Sequence, residues 1–322
     1  MVNIGIVGFG NLGASIEKCL ENFPDINLIT VFTRRKPDSI NSKVKVDKFE
    51  NIDQYETEID VLILAGGSQK DIPEQGPQLI RNFNTVDVFD NHAEVKQYYT
   101  KMNKIALENN KVAVVSTGWD PGLFSLERTL ADAILPKGNT HTFWGPGLSQ
   151  GHSDVVRRVP GVKYGAQYTI PNKKMLDEAR QGKKIEYSTA TAHQRDVYVV
   201  LEETADSEEV SDTIKNIPDY FAPYQTNVYI ISEEEFFANH QGMPHGGTVI
   251  RLGETSQQVK ANFEFNLNLS SNPEFTASVS LAYARAAARL AAEKNYGAKT
   301  VLDIPISYLS SRTKSELLAK YI

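Results

Sequence analysis

The residues of this chain whose types and spacing best suit chemistry begin with a glycine-rich loop, Gly8-Phe9-Gly10-Asn11-Leu12-Gly13. An apolar segment precedes the loop and an amphipathic segment follows it, which predicts a strand, a turn and a helix. Glycines permit the tight turn and let backbone N–H groups approach a pyrophosphate at the helix N-terminus. The loop therefore predicts a dinucleotide site contacted by Gly8, Phe9, Gly10, Asn11, Leu12 and Gly13.

The end of the second predicted strand indicates which dinucleotide is bound. An NAD site usually places a carboxylate about 20 residues after the glycine loop, where it binds the ribose 2′-hydroxyl. This chain has Thr33, Arg34 and Arg35 there and no carboxylate. A hydroxyl and two guanidinium groups suit a 2′-phosphate, because Arg offers a planar fork of donors to an anion. We therefore expect NADP.

Two carboxylates, Asp90 and Asp120, each follow a predicted strand and are the candidate catalytic residues. They could hold a substrate ammonium, orient its Cα–H bond and accept a proton as an imine forms, with water as a competing acceptor. Asp120 has an alternative role, because Asp120-Pro121 also resembles the N-cap and first residue of a helix. Asp90 is freer of that role, since Asn91 could cap the helix that follows it.

Further loops are rich in Gly, Pro, Trp and polar residues and are not patterned for a core. Trp144 could exclude water from a hydride-transfer site, and Gln150-Gly151 offers an amide and a backbone N–H to a carboxylate. Arg195 is expected to be an ordinary solvated residue, whereas His245 lies among Pro and Gly residues unsuited to a core. No cluster has metal-ligand spacing and no GxSxG motif is present, so we expect neither a metal site nor serine catalysis.

These residues need a scaffold, and the first third of the chain predicts one. Strands at 3–7, 27–32, 60–64, 85–89 and 111–115 alternate with helices at 12–22, 74–82 and 93–108. That alternation is typical of an α/β fold, a Rossmann-type doubly wound parallel sheet, in which ligands bind at the carboxyl ends of the strands. Besides the glycine loop and residues 33–35, the strand ends expected to contact a ligand are therefore 65–68, 90–92 and 117–121.

After Pro121 the pattern changes to longer strands with period-two alternation, most clearly over 261–269. Such alternation, with intervening helices, predicts an α+β domain whose sheet has one solvated face. An alanine-rich helix predicted at 275–294 is expected to return to the first domain. We thus predict a discontinuous NADP-binding Rossmann domain, 1–119 plus 273–322, and a second α+β domain for the substrate, 120–272.

Composition excludes several classes of protein. The 322 residues are 41% hydrophobic and 23% charged, as in an ordinary globular protein. The net charge of −6 argues against a nucleic-acid partner. No apolar run is long enough to span a membrane, no signal-peptide pattern is visible, and Cys19 is the single cysteine, so we expect a cytoplasmic protein without disulfides.

Taken together, these loops resemble the NADP-dependent meso-diaminopimelate dehydrogenase family over nearly the whole chain. The most specific matches are FTRR, STGWDPGLFSL, TFWGPGLSQGHSD, GMPHGG and SNPEFTAS, in this order and spacing. The resemblance implies that a hydride passes from the D-configured Cα of meso-2,6-diaminopimelate to NADP⁺ and that the imine then takes up water. The products would be ammonia and L-2-amino-6-oxopimelate, which cyclises to tetrahydrodipicolinate, in a reversible reaction of lysine and peptidoglycan-precursor biosynthesis.

The same resemblance implies roles for individual residues and a homodimer formed through the second domain. Beyond the glycine loop and Thr33, Arg34 and Arg35, it implies cofactor contacts at Ala65, Gly66, Gly67, Ser68, Val88, Phe89, Asp90, Thr117, Gly118, Trp119, Asp120 and Pro121. The reacting D-centre would meet Asp90, Asp120, Trp144, Gln150 and Gly151. The distal L-centre would be held by Thr169, Arg195, His245 and Asn272, with Asp154 shaping the pocket.

Two rival functions remain at this point. Another NADP-linked reductase of the aspartate pathway would share the first domain, but it leaves TFWGPGLSQGHSD and MPHGG unexplained. A non-catalytic NADP sensor would use the second domain to bind a partner protein. The carboxylates, Trp and Arg residues at the strand ends argue against a sensor.

Overall fold

A computed structural model describes all 322 residues of the chain. It divides into two compact units: unit 1 comprises Met1–Leu126 and Pro273–Ile322, and unit 2 comprises Glu127–Asn272.

The strands, in chain order, are β1 (Val2–Val7), β2 (Ile26–Thr33), β3 (Lys45–Lys48), β4 (Val61–Leu64), β5 (Asn84–Asp87), β6 (Val112–Val114), β7 (Lys137–Trp144), β8 (Gly147–Leu148), β9 (Val162–Pro171), β10 (His193–Leu201), β11 (Gln225–Ile230), β12 (His245–Ser256), β13 (Val259–Leu269) and β14 (Gly297–Lys299). The α-helices are α1 (Asn11–Cys19), α2 (Asp71–Leu79), α3 (Val95–Glu108), α4 (Leu123–Ile134), α5 (Gln150–Val156), α6 (Lys173–Arg180), α7 (Thr189–Ala192), α8 (Ser207–Lys215), α9 (Glu233–Asn239), α10 (Asn272–Ala292), α11 (Ile306–Leu309) and α12 (Lys314–Tyr321).

Unit 1 is built on a parallel sheet of seven strands in the order β14-β6-β5-β4-β1-β2-β3. The reversal of strand order beside β1 is the arrangement found in doubly wound dinucleotide-binding folds. All four residues of β4 are buried, as expected of a strand covered on both faces. The predicted α/β fold class is therefore confirmed.

The end of the chain completes unit 1. Helix α10 places Leu281, Tyr283 and Ala284 in the same buried cluster as side chains of the parallel sheet, and β14 extends that sheet beside β6. The buried guanidinium of Arg285 donates to both carboxylate oxygens of Asp25, at 2.5 and 2.6 Å. Small alanine side chains let this helix lie close to its neighbours, which explains its composition.

Unit 2 contains two smaller sheets with helices. One has the order β11-β10-β9-β8 and the other the order β13-β12-β7. Strand β10 is antiparallel to β9 and parallel to β11. Helices α5 to α9 lie between the strands along the chain, so the predicted α+β class of this domain is confirmed. In β13 the apolar Phe263, Phe265 and Leu267 are half-buried and alternate with exposed polar residues.

The stretch from 143 to 154, which contains the predicted loop residues Trp144, Gln150 and Gly151, is instead largely regular. It contains the end of β7, the two-residue strand β8 and the seven-residue helix α5. Elements this short show no hydrophobic periodicity from which they could be predicted. Helix α5 is instead defined by its cap, because the Ser149 side chain accepts a hydrogen bond from the N–H of His152. No helix of the protein is long and apolar enough to cross a membrane.

Candidate active site

The glycine loop joins β1 to α1 as predicted, and its backbone leaves room for a phosphate. A Cβ on Gly13 would stand 2.3 Å from the carbonyl oxygen of Gly8, so only glycine lets α1 pack this closely on the loop. At Gly10, in contrast, an added Cβ would meet no atom within 4 Å. No side chain caps α1 at Gly10 and its first turn has no acidic residue. This open, uncapped helix N-terminus fits the pyrophosphate of a dinucleotide.

Thr33, Arg34 and Arg35 lie together at the carboxyl end of β2, as predicted. Each arginine also bonds to a residue outside β2, an interaction that the sequence did not predict. Arg34 Nη2 lies 2.6 Å from Asp71 Oδ1, and Arg35 donates to the carbonyl oxygen of Phe9. The Thr33 hydroxyl is buried and accepts the N–H of Arg35 at 3.1 Å. A 2′-phosphate at this edge would thus meet two guanidinium groups, one of them already paired with a carboxylate.

Ser68 connects the loops after β4 and β5. Its hydroxyl donates to the carbonyl oxygen of Val88 and accepts the N–H of Asp90, both at 3.3 Å. The Asp90 side chain is exposed. Nearby, Gly67 N–H donates to Asp71 Oδ2 at 3.0 Å. The residues predicted after β4 and β5 therefore form one continuous edge.

The structure excludes the helix-capping role that the sequence left open for Asp120. Asp120 and Pro121 form the tip of a tight turn closed by a bridge from Trp119 to Gly122, and α4 begins only at Leu123. The interpretation of Asp120 as an N-cap with proline in the first helical position is therefore wrong.

The expected capping of α3 by Asn91 is also wrong. This helix begins at Val95, and Glu94 occupies its N-cap position without a side-chain hydrogen bond. The Asn91 side chain instead accepts the N–H of Ala93 at 3.2 Å and closes a local turn. Asp90 therefore lies in the loop before this turn, and neither Asp90 nor Asn91 caps the helix.

The centre of the candidate site in unit 2 is Arg195, and the expectation of a solvated side chain is wrong. Arg195 is 6% exposed, donates from Nη1 to the Thr169 hydroxyl and stacks with its Cζ 4.0 Å from the Tyr224 ring centroid. Its Nε has no hydrogen-bond partner, and no carboxylate pairs with it. A buried guanidinium costs several kcal/mol unless an anion compensates it. This environment is therefore suited to an anionic ligand.

Sheet pairing brings other predicted residues to Arg195. Thr169 lies opposite Arg195 on one side and opposite Gly147 on the other. An added Cβ on Gly147 would stand 2.5 Å from His245 Cγ, so the imidazole of His245 packs directly against this strand. Trp144 pairs with Gly247 and donates its N–H to His193 Nε2 at 2.8 Å.

Met243 links two more of the predicted residues. Gln150 Nε2 donates a hydrogen bond to its sulfur at 2.9 Å, and the N–H of Asn272 donates to its carbonyl oxygen at 2.8 Å. Gln150 and Gly151 form the exposed first turn of α5. Asp154 does not join this group, because its carboxylate is 56% exposed and paired with Arg157.

Three histidines in this part of unit 2 are held in their neutral form. Burial, with a smaller contribution from the charge of Arg195, lowers the pKa of His152 and of His193 to about 4. The pKa of His245 is lowered by the same two causes. Arg195 is thus the main positive charge among neutral imidazoles, which strengthens its preference for an anion.

Sequence reasoning missed several residues of this site. They are His193, Tyr224 and Gln167. Of these, His193 could have been found, because it lies two residues from Arg195 and therefore on the same, buried face of β10. Gln167 is completely buried two residues before Thr169, and neither of its amide atoms has a partner. Nothing in the sequence around Tyr224 indicates that it contacts Arg195. No group of three or more His, Cys, Asp or Glu residues could hold a metal ion.

The parallel sheet, the open glycine loop and the polar strand ends define a Rossmann-type dinucleotide-binding protein, and unit 2 adds a buried arginine without a carboxylate partner. The chain belongs to the meso-diaminopimelate D-dehydrogenase family. A relative of that name from Ureibacillus thermosphaericus is 51% identical, with 98% of each chain covered. The model of the diaminopimelic acid dehydrogenase C-terminal domain matches residues 118–271.

Two solved structures agree with this assignment. A Corynebacterium glutamicum DAP dehydrogenase in complex with DAP superposes with a TM-score of 0.92 at 41% identity, covering 100% of this chain and 99% of the other. An engineered D-amino acid dehydrogenase bound to NADP⁺ superposes with a TM-score of 0.88 at 40% identity, with the same coverage.

Proposed function

We propose that this protein catalyses the reversible oxidative deamination of the D-centre of meso-2,6-diaminopimelate. The products are ammonia and L-2-amino-6-oxopimelate, the open form of tetrahydrodipicolinate, and NADP⁺ accepts the hydride when bound. Relatives named meso-diaminopimelate D-dehydrogenase, at up to 51% identity, support this activity. The observation within this chain that carries it is the buried Arg195, which has no carboxylate partner of its own.

Asp90 and Asp120 are proposed as the catalytic residues of unit 1. Each lies after a strand of the parallel sheet, at the edge where such folds bind their cofactor. A carboxylate there stabilises the substrate ammonium, orients the Cα–H bond and takes up the proton released as the imine forms. In unit 2, Trp144 is proposed to exclude water, and Gln150 and Gly151 to donate hydrogen bonds to a substrate carboxylate.

Thr169, Arg195 and His245 are proposed to bind the distal carboxylate, and Asn272 to lie by the distal amine. Arg195 supplies the charge, and the Thr169 hydroxyl holds its Nη1 in place. Asp154, whose carboxylate is paired with Arg157, is proposed to shape the pocket only indirectly, through its position on α5 with Gln150 and Gly151. A substrate that is zwitterionic at both ends needs a counter-charge for each carboxylate, so an analogue without the distal amino acid should bind much more weakly.

NADP is proposed as the cofactor, with Arg34 and Arg35 binding the 2′-phosphate. Replacing both (Arg34→Ala with Arg35→Ala) should reduce the NADP⁺ over NAD⁺ ratio of kcat/KM by about 100-fold, because two charge-assisted contacts to a dianion are lost. Lys36→Ala removes an adjacent, exposed positive charge and should leave the ratio unchanged. Steady-state kinetics with both cofactors make the comparison. An unchanged ratio in the double variant would refute this assignment.

A homodimer and a cytoplasmic location complete the proposal. Unit 2 exposes large apolar side chains, including Tyr229, Ile230 and Phe237, which a second copy could cover. The single, half-buried cysteine is consistent with a reducing compartment. Light scattering tests the assembly, since a dimer has twice the 35.9 kDa chain mass.

The experiment that tests the activity is NADPH formation by the purified protein. NADP⁺ is combined separately with meso-, LL- and DD-diaminopimelate and with D-alanine. Turnover with the meso isomer and little with the LL isomer is expected, because the reacting centre has the D configuration. Tight NADP⁺ binding without turnover of any of these substrates would contradict the proposal.

A further inference from the structure

Asp87, the last residue of β5, makes an unusual set of contacts at the edge that carries the candidate catalytic residues. Its side chain is completely buried. Oδ1 accepts the N–H of Phe89 at 3.1 Å and that of Ser116 at 3.0 Å. Oδ2 accepts the hydroxyl of Tyr98 at 2.8 Å. One carboxylate therefore binds the backbone of the loop after β5 and of the loop after β6.

The main chain of Asp87 strengthens the same connection. Its carbonyl oxygen accepts both the N–H of Thr117, at 2.8 Å, and the Thr117 hydroxyl, at 2.9 Å. The neighbouring Ser116 has a φ of +58°, a left-handed conformation that is costly for a residue other than glycine. Such a conformation persists only where surrounding contacts enforce it, and the bond from Ser116 N–H to Asp87 is one of them.

Burying an ionisable carboxylate at the position of Asp87 carries a desolvation cost in free energy. No Lys, Arg or His pairs with Asp87, and burial raises its pKa to about 6. An apolar side chain of similar volume would avoid this desolvation cost but could not accept backbone hydrogen bonds. The cost is therefore offset by what the carboxylate holds, namely the two loops.

We propose that Asp87 is a positioning residue of the reaction, which fixes the loops bearing Asp90 and Asp120 through the N–H groups of Phe89 and Ser116. Phe89 immediately precedes Asp90, and Ser116 begins the segment that leads to Asp120. This inference rests on the proposed function. It assigns Asp87 no contact with substrate or cofactor. Its role is to hold two loops at a fixed separation.

Three variants test the role of Asp87. Asp87→Ala removes both oxygens and should lower kcat for meso-diaminopimelate by about tenfold or more, because small misplacements of catalytic groups cost one to two orders of magnitude. Asp87→Asn keeps one acceptor but loses the charge-assisted bonds, so a loss of about threefold is expected. Tyr98→Phe is the matched control, because it deletes a buried partner of Asp87 while leaving both backbone bonds, and it should keep kcat within about twofold.

Two readouts separate positioning from a general loss of stability. The Kd for NADP⁺ should rise by less than kcat falls in Asp87→Ala, since the glycine loop and the loop after β2, to which Asp87 makes no hydrogen bond, keep their expected share of the cofactor contacts. Hydrogen exchange should accelerate over residues 88–92 and 115–122 in Asp87→Ala and, more weakly, in Asp87→Asn, but not in Tyr98→Phe.

Either of two results would overturn the inference. One is a folded Asp87→Ala protein with kcat and loop exchange unchanged. The other is an equal loss of kcat in Tyr98→Phe and Asp87→Ala. If Asp87→Ala fails to fold, Asp87→Asn decides, and its equality with the unsubstituted protein in both readouts refutes the role. Failure of the proposed function is distinct, because the unsubstituted protein would then not turn over the substrate, while loop exchange would still report on Asp87.

Discussion

At the scale of single residues, Arg195 illustrates how burial can disclose the charge of a ligand. Its guanidinium lies among Thr169, Tyr224 and three neutral histidines, and no carboxylate of the protein neutralises it. The missing counter-charge must come from outside the chain. Under the proposed function a dicarboxylic substrate would supply it, whereas a simple D-amino acid has no second carboxylate to do so.

Arg195→Ala should therefore raise KM for meso-diaminopimelate by about 100-fold, since losing one partner of a buried charge pair costs about 3 kcal/mol. KM for D-alanine should change by less than about threefold, because it has no distal carboxylate. Arg158→Ala, an exposed arginine of the same unit, is the control. Initial-rate kinetics with both substrates make the test, and an equal loss for both would remove Arg195 from the distal site.

His193, in the same part of unit 2, should make the free energy of unfolding depend on pH. Its Nδ1–H donates to the carbonyl oxygen of Thr189 and its Nε2 accepts the N–H of Trp144, both at 2.8 Å, so the neutral ring is required. Burial lowers the pKa of His193 from 6.5 to about 4. Between these values the unfolded chain binds more protons, so the free energy of unfolding should fall as the pH drops from about 6.5 towards 4.

His193→Gln should flatten this dependence, because an amide can make both hydrogen bonds without titrating. Denaturant unfolding at several pH values between 7.5 and 4.5 measures the effect. The slope attributable to His193 is at most about 1.4 kcal/mol per pH unit. His152, whose pKa is also lowered to about 4, should retain part of the slope in the variant. Parallel curves for the two proteins would show that His193 does not contribute.

At the scale of elements, the parts of the fold that repeat a pattern were predictable. The predicted strands of the first half correspond to β1, β2, β4, β5 and β6, and the alanine-rich segment is α10. The strands β3 and β14 escaped prediction although β4 and β6 are no longer, because their sequences, KVDK and GAK, lack the apolar run that marks VLIL and VAV. The candidate site was predictable where it follows the strands of the parallel sheet, because topology alone brings those ends together.

Contacts between distant parts of the sequence were not predictable in this way. Tyr224 meets Arg195 only because β11 pairs with β10, and Asp71 reaches Arg34 only because α2 begins beside β2. Arg195 was expected to be solvated because it is charged, although it lies in phase with the buried Val197 and Val199 of β10. A charge becomes informative only once the structure shows which partners it has and which it lacks.

At the scale of the whole molecule, the chain leaves unit 1, forms unit 2 and returns. The returning segment is structural, because α10 places ten buried residues against unit 1 and Arg285 joins it to Asp25 and to the carbonyl oxygen of Leu309. Helix α12 contrasts with α10, since none of its residues is buried. The two helices therefore allow a matched comparison of truncations.

A chain that ends at Asn272 should fail to bind NADP⁺ and should aggregate or melt without cooperativity, because the sheet loses β14 and the buried face of α10. At about 25 cal/mol per Å², newly exposing about 600 Å² of apolar surface already costs about 15 kcal/mol, the upper end of the stability of a typical domain. A chain that ends at Thr313 loses only α12 and should keep its melting temperature within a few degrees and its NADP⁺ affinity within about twofold. Calorimetry and a cofactor titration on both truncations test this. Normal NADP⁺ binding by the shorter chain would mean that residues 1–126 fold independently and that the returning segment is dispensable.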